Sequence, residues 1–171
     1  AEKADYLKSL NVGAVWLMPM MSSPSYHGYD VADYKATEAD YGTMDDFKNM
    51  VSILHSKGIK VIIDLVINHS SNQNEWFKQS MSETVTKYID YYVWANEFDN
   101  MNDERWRKAP NGKYYFGDFT ETMPDFNYRS VNLRNEIKGV AKYWLDTGID
   151  GFRLDASHKI DLDPEVTHLW W

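Results

Sequence analysis

The chain repeats one unit three times: apolar residues at helical spacing, then a glycine, then an apolar run rich in β-branched residues. In residues 2–10 the spaced positions are Ala4, Tyr6, Leu7 and Leu10, and Gly13 precedes Ala14-Val15-Trp16-Leu17-Met18. In residues 44–57 they are Phe47, Met50, Val51 and Leu54, followed by Gly58 and Val61-Ile62-Ile63-Asp64-Leu65-Val66-Ile67. In residues 131–147 they are Ile137, Val140, Ala141, Trp144 and Leu145, followed by Gly148 and Gly151-Phe152-Arg153-Leu154-Asp155. Gly13, Gly58 and Gly148 each stand where a helix takes a left-handed C-terminal cap. Helices alternating with nearly continuous apolar strands predict an α/β fold, a parallel sheet covered by helices. The right-handed crossover rule places 14–19, 60–67 and 149–155 side by side in that order.

The links are unequal. Helix-to-strand links are a few residues long, whereas residues 19–43 follow the first strand and about 68–130 follow the second. The latter is too long for a plain loop, and its Trp, Tyr, Phe, Asn and Asp content predicts a small inserted subdomain. Long segments after the carboxyl ends of strands are where (β/α)8 barrels and open α/β sheets build their sites.

Composition narrows the ligand. A net charge of −8 over 171 residues repels nucleic acid and anionic membrane surfaces, and leaves a neutral sugar unaffected. The apolar runs are too short to insert into a membrane. Aromatic residues make up 15 %, including 12 Tyr and 7 Trp, whose rings serve sugar stacking as readily as cores. With no cysteine, disulfides and thiolate chemistry are excluded.

The polar residues sit at the strand ends. In Gly151–Ser157, Phe152 and Leu154 alternate with Arg153 and Asp155, so the two pairs face opposite sides; in a barrel the apolar pair would pack on helices and the charged pair would face inward near the mouth. A neighbouring guanidinium favours the charged form of a carboxylate, which a nucleophile requires, and it equally suits a structural ion pair. Asp64 lies inside an apolar strand and needs a partner, for which Arg153 is the candidate. His69 is either a ligand contact or a satisfied histidine at a loop start. Asn68-His69-Ser70 matches a glycosylation acceptor, but a strand end facing a pocket is a poor place for a glycan.

Taken together, these segments resemble the α-amylase superfamily, glycoside hydrolase family thirteen. Asp64-Leu65-Val66-Ile67-Asn68-His69 and Gly151-Phe152-Arg153-Leu154-Asp155-Ala156 are similar to its first two signature regions. Gly28-Tyr29-Asp30 with Asp40-Tyr41-Gly42-Thr43 resembles the loop after its second barrel strand, and Met123-Pro124-Asp125-Phe126-Asn127 resembles its motif near the end of domain B. The resemblance covers essentially the whole chain. It implies a partial (β/α)8 barrel, strands 2 to 4, with domain B inserted after strand 3. Residues 1–69 would be barrel, 70–127 domain B, and 128–171 barrel again.

The resemblance also assigns roles. Asp155 matches the nucleophile of a retaining enzyme that cleaves α-glucans, and Arg153 its electrostatic partner. His69 and Tyr29 match sugar contacts, and Asp64 matches the carboxylate bracing Arg153. Asn68 and Asp125 match ligands of a structural calcium ion, a hard cation suited to oxygen donors, with the Lys159 carbonyl as a further ligand. Capping of local turns is the other reading of Asn68 and Asp125. His158-Lys159 reverses the family's usual Lys-His order, at positions that serve the leaving-group side and the calcium. Met-Pro-Asp-Phe-Asn lies between the forms of typical α-amylases and oligo-1,6-glucosidases, nearest the intermediate, neopullulanase-like groups. Tyr26 and His27 stand where exo-acting members carry an aspartate, which implies internal cleavage. The residues themselves fix no location; the resemblance is compatible with an extracellular or cell-surface one.

The resemblance places an acid/base glutamate after the fifth strand and a His-Asp pair after the seventh, both beyond Trp170-Trp171. The expectation is a piece of a longer chain, inactive alone, whose partners include the remaining barrel strands. The competing readings are an oligo-α-glucosidase, neopullulanase or transglycosylase on the same scaffold, or a non-catalytic binding or subunit module.

Overall fold

A computed structural model describes residues 2–82, 84–96 and 99–168; Trp170 and Trp171 lie outside them. The elements run α1 (Ala4–Ser9), β1 (Ala14–Leu17), β2 (Met21–Ser22), β3 (Asp33–Thr37), α2 (Met44–Ser56), β4 (Lys60–Val66), α3 (Glu75–Ser80), β5 (Trp106–Lys108), β6 (Tyr114–Phe116), α4 (Val131–Leu145), β7 (Gly151–Asp155) and α5 (Pro164–His168). Strands β1, β4 and β7 form one parallel sheet in that order, so the thrice-repeated unit becomes three neighbouring strands of a partial barrel. Among the described residues, no helix is long and apolar enough to cross a membrane.

Each helix of the repeat starts and stops for local reasons. Thr43 opens α2 with a capping box, its hydroxyl accepting from the Asp46 amide while the Asp46 carboxylate accepts from the Thr43 amide. Ser130 caps α4 through the Leu133 amide. Gly58 and Gly148 take φ of 73° and 100° at the ends of α2 and α4, as the repeat predicts. The first unit differs: Asn11, at φ 57°, takes the left-handed position after α1, and Gly13 does not. Asparagine tolerates that conformation because its short polar side chain bonds locally, so the left-handed cap comes two residues before Gly13 and the helix ends four before it.

The core lies between the sheet and its helices. Val61, Ile63 and Leu65 of β4 are buried against Phe47, Val51 and Leu54 of α2 and Leu133, Val140 and Trp144 of α4. Trp144, fully buried, donates its indole N–H to the Tyr34 carbonyl at 2.7 Å and meets Phe47 edge-on. This satisfies the one polar atom that so large a ring brings inside. In β7, Phe152 joins the core, but Leu154 on the same face stays 36 % exposed, because β7 pairs with a neighbour on one side only.

Between β4 and α4 the chain forms α3, the β5–β6 hairpin and a cluster of rings. Trp76 stacks on Tyr34 at 5.2 Å, and Phe77 stacks on Trp94 at 5.8 Å. Most of these rings pack on one another inside the insert, and Tyr34 on β3 joins them to the barrel through Trp76 and Phe126. The short bridges His69–Asp125 and Tyr92–Phe126 stitch its end back beside β4.

Candidate active site

Parallel register puts Asp64 opposite Arg153 and Val66 opposite Asp155, so all four share the face away from the helices. Arg153 Nη1 donates to both carboxylate oxygens of Asp64, at 3.2 and 3.0 Å, and also to Asp155. Its guanidinium lies 5.2 Å from the Trp16 ring on β1, a cation–π contact across the same face. Asp64 is 1 % exposed; burial pushes its carboxyl above the ordinary carboxylate range, and Arg153 opposes that shift. The Tyr29 hydroxyl reaches Asp64 at 3.4 Å. Burial, then the Asp64 and Asp155 charges, raise that phenol, so Tyr29 stays neutral.

Tyr29 arrives on the loop between β2 and β3. Gly28 sits there at φ 76°, and a Cβ would lie 2.7 Å from the Pro19 carbonyl oxygen, so only glycine lets the loop fold back onto the end of β1. Tyr26, at the loop tip, is 95 % exposed. His69 closes the other side: Nε2 donates to the Tyr29 carbonyl at 3.1 Å, and Nδ1 accepts from the Asn68 amide at 3.4 Å. Burial drives the His69 imidazole down to about 4, which keeps it neutral.

These groups surround a hollow of about 340 Å³ lined by His27, Tyr29, His69, Phe119, Thr120, Met123 and Asp155. A larger hollow of about 540 Å³ lies between β1 and α2, walled by Met18, Phe47 and Met50. Its one carboxylate, Asp46, is committed to Thr43, so the reactive groups converge on the smaller space. Phe119, Thr120 and Met123 come from the insert; Met123 opens the Met-Pro-Asp-Phe-Asn motif, whereas Phe119 and Thr120 carry no pattern that marks them in the sequence. Phe119 is 44 % exposed and packs 5.1 Å from the His69 ring.

The remaining candidates fall elsewhere. His158 and Lys159 line a separate hollow together with Asp118 and Asp125. Lys159 binds Asp118, which also takes Arg105, so the loop after β7 is tied to the insert. Asn68 is 1 % exposed, which disposes of the glycan, and its Oδ1 is buried without a hydrogen-bond partner among the described residues. Asp125, 5 % exposed, is raised by burial to about 7 and accepts from the Asp118 amide at 3.3 Å. No group of three or more His, Cys, Asp or Glu fit for a metal occurs among the described residues.

Carboxylates and a guanidinium at the carboxyl ends of parallel strands, roofed by an insert after β4, define the class by fold: a partial (β/α)8 barrel with its polar groups gathered at the strand ends. The chain belongs to the α-amylase family. The family model for the α-amylase catalytic domain matches residues 1–168. Alpha-amylase 3 of Dictyoglomus thermophilum is 46 % identical over 99 % of this chain and 34 % of its own length. Oligo-1,6-glucosidase of Parageobacillus thermoglucosidasius is 37 % identical over 96 % of this chain and 31 % of its own. The crystal structure of an α-amylase from H. orenii superposes with a TM-score of 0.87 at 43 % identity, covering 99 % of this chain and 38 % of that one. The chain thus spans about a third of the length of the relatives it matches.

Proposed function

We propose that the chain belongs to a retaining hydrolase that cleaves internal α-1,4 bonds of starch-like glucans through a glycosyl ester on Asp155. The observation that carries this reading is the Asp155 carboxylate at the wall of the hollow, held by Arg153 and faced by Tyr29 and His69. A retaining mechanism needs an anionic carboxylate about 5–5.5 Å from a protonated one. Asp155 attacks the anomeric carbon, the bond to the leaving oxygen breaks as that oxygen takes a proton, and water later cleaves the ester. The other carboxylates nearby are committed: Asp64 to Arg153, and Asp30 to Ser23 and Ser25. The resemblance to the family places the proton donor on a glutamate after the fifth barrel strand, and on that reading residues 1–171 alone should leave starch intact.

Tyr26, exposed beside His27 on the loop between β2 and β3, favours internal attack, since an exposed ring flanks a continuing chain without requiring a free end. The experiment is digestion of soluble starch by the full-length enzyme. Internal cleavage gives a rapid fall in viscosity and a ladder of oligosaccharides, whereas release of glucose alone from chain ends would refute it. A second reading, oligoglucosidase or transglycosylase, has support in the 37 % and 39 % identities to an oligo-1,6-glucosidase and a 4-alpha-glucanotransferase from Thermotoga maritima.

A structural calcium ion at the joint between insert and barrel belongs to this proposal. Asn68 Oδ1, buried and without a hydrogen-bond partner among the described residues, and the buried Asp125 carboxylate are hard oxygen donors that fit such an ion. Main-chain carbonyls, that of Lys159 among them, would complete the shell. The ion would cross-link the joint and take no part in the chemistry. Chelation by EGTA should lower the melting temperature of the full-length enzyme by several degrees, and added calcium should restore it. An unchanged melting temperature removes the ion from the account.

A further inference from the structure

The lysine of the reversed pair His158-Lys159 is absent from the lining of the hollow that holds Asp155. Its ammonium binds the Asp118 carboxylate of the insert and lies 5.2 Å from the centre of the Phe119 ring. The backbone is bent to bring it there. Ala156, next after Asp155, takes φ 48°, a left-handed conformation uncommon for a residue with a Cβ. Ser157–Lys159 then form a single 3-10 turn, in which the Lys159 amide donates to the Ala156 carbonyl at 2.9 Å. A backbone in so unfavourable a conformation persists only where its surroundings pin it.

The Asp118 carboxylate has a cation without this lysine. Its side chain is 11 % exposed, and Arg105, which belongs to the insert as well, donates to Oδ1 at 3.1 Å. Lys159 takes the other oxygen, Oδ2. One guanidinium already meets the need of a buried carboxylate for a partner. What the second cation adds is a tie between two elements far apart in the chain.

The tie reaches the hollow through the residue next to Asp118. A Cβ on Gly117 would lie 2.7 Å from the Thr120 carbonyl oxygen, so residues 117–120 form a turn too tight for a side chain at its first position. The Gly117 amide donates to the Arg105 carbonyl at 2.9 Å, and the Asp118 amide to Asp125 at 3.3 Å. Asp118 and Phe119 therefore share one braced turn. Phe119 lines the hollow and packs 5.1 Å from the His69 ring, so the ring meets the barrel through His69 and the loop after β7 through Lys159.

We infer that Asp118 is a positioning residue: with Lys159 it latches the insert to the loop that follows Asp155, and so fixes the Phe119 ring in the wall of the hollow. The effect on sugar binding rests on the glucan reading above; the latch itself does not.

Two variants of the full-length enzyme break the latch from opposite sides. Lys159→Met keeps the stem and the main-chain carbonyl, and leaves Asp118 paired with Arg105. Asp118→Asn keeps the size of the side chain and the main-chain bond to Asp125, and leaves Arg105 its contacts with Asp103. With maltotetraose as substrate, each should raise KM about two- to fivefold with kcat nearly unchanged, the scale of a partly exposed ion pair. The double variant should lose no more than either single one, because both break one bond. In a Phe119→Leu background Asp118→Asn should change KM no further, since the ring it acts through is gone. Asp118→Glu, which restores the charge, should recover part of the loss.

Amide hydrogen exchange reads the latch without any substrate. Exchange over residues 117–122 should quicken in both variants and stay as it was over β4 and β7. Lys159→Met carries the test if Asp118→Asn does not fold. Unchanged exchange would overturn the latch, and an unchanged KM would overturn the positioning role. Additive losses, or a further loss in the Phe119→Leu background, would show that Asp118 merely supports the fold. Faster exchange in an enzyme that turns over no glucan would refute the glucan reading and leave the latch standing.

Discussion

Asp155→Asn in the full-length enzyme should lower kcat/KM on a linear α-1,4-glucan by on the order of 10⁴-fold or more, the scale seen when one member of a cooperating catalytic group is removed. The replacement keeps the shape of the side chain and an oxygen that can still accept from Arg153. The melting temperature should therefore move little. What disappears is the anion that forms the bond to the anomeric carbon. A loss smaller than tenfold would mean that Asp155 only orders the site and that another group attacks the sugar.

Arg153→Ala should have the largest effect on stability. Asp64 is 1 % exposed and would keep only the Tyr29 hydroxyl, at 3.4 Å. Stripping the partner from a buried ion pair costs about 3–5 kcal/mol, and the lower end applies here because Asp64 can take up a proton instead. That escape fixes the pH dependence. A carboxyl whose folded pKa lies above its unfolded one binds more protons folded than unfolded, so it contributes stability at low pH that is lost as pH rises. Asp64 is already raised in the native protein, and without Arg153 it rises further. The deficit of the variant should be larger at pH 7 than at pH 4.5, measured by thermal melting at both. An equal deficit at the two values would show that Asp64 has found another cation. Arg153→Lys should fall short of rescue, since an ammonium lacks the planar face that the guanidinium sets against the Trp16 ring.

Much of this was legible in the chain because it follows from short periods. The alternation in Phe152-Arg153-Leu154-Asp155 and the lone charge of Asp64 in an apolar run fix which residues share a face, and two parallel strands in register do the rest. The first repeat was misjudged by two residues: Asn11 competes with glycine for the left-handed position, and the glycine pattern alone does not show which one takes it. Phe119 was not legible. It reaches His69 only because the insert folds back across the 50 residues separating them, and ring contacts over that distance leave no periodic trace. The Lys159–Asp118 link is of the same kind, spanning 41 positions. The contacts of His27 lie between these cases. Its Nδ1 accepts from the Tyr29 amide only two positions away, yet that contact depends on the turn at Gly28, which the spacing alone does not reveal.

The pairing of β4 with β7 has a consequence for how faithfully the chain must assemble. If the two strands docked one residue out of step, every side chain on one of them would change faces. Arg153 and Asp155 would point into the hydrocarbon beneath α2 and α4, while Asp64 stayed behind without its cation. Such a sheet would be penalised three times over, by two charges buried among apolar side chains and one left alone. The groups proposed for chemistry thus also act as a proofreading device during folding, and a chain that has reached this register has passed the check on its active site.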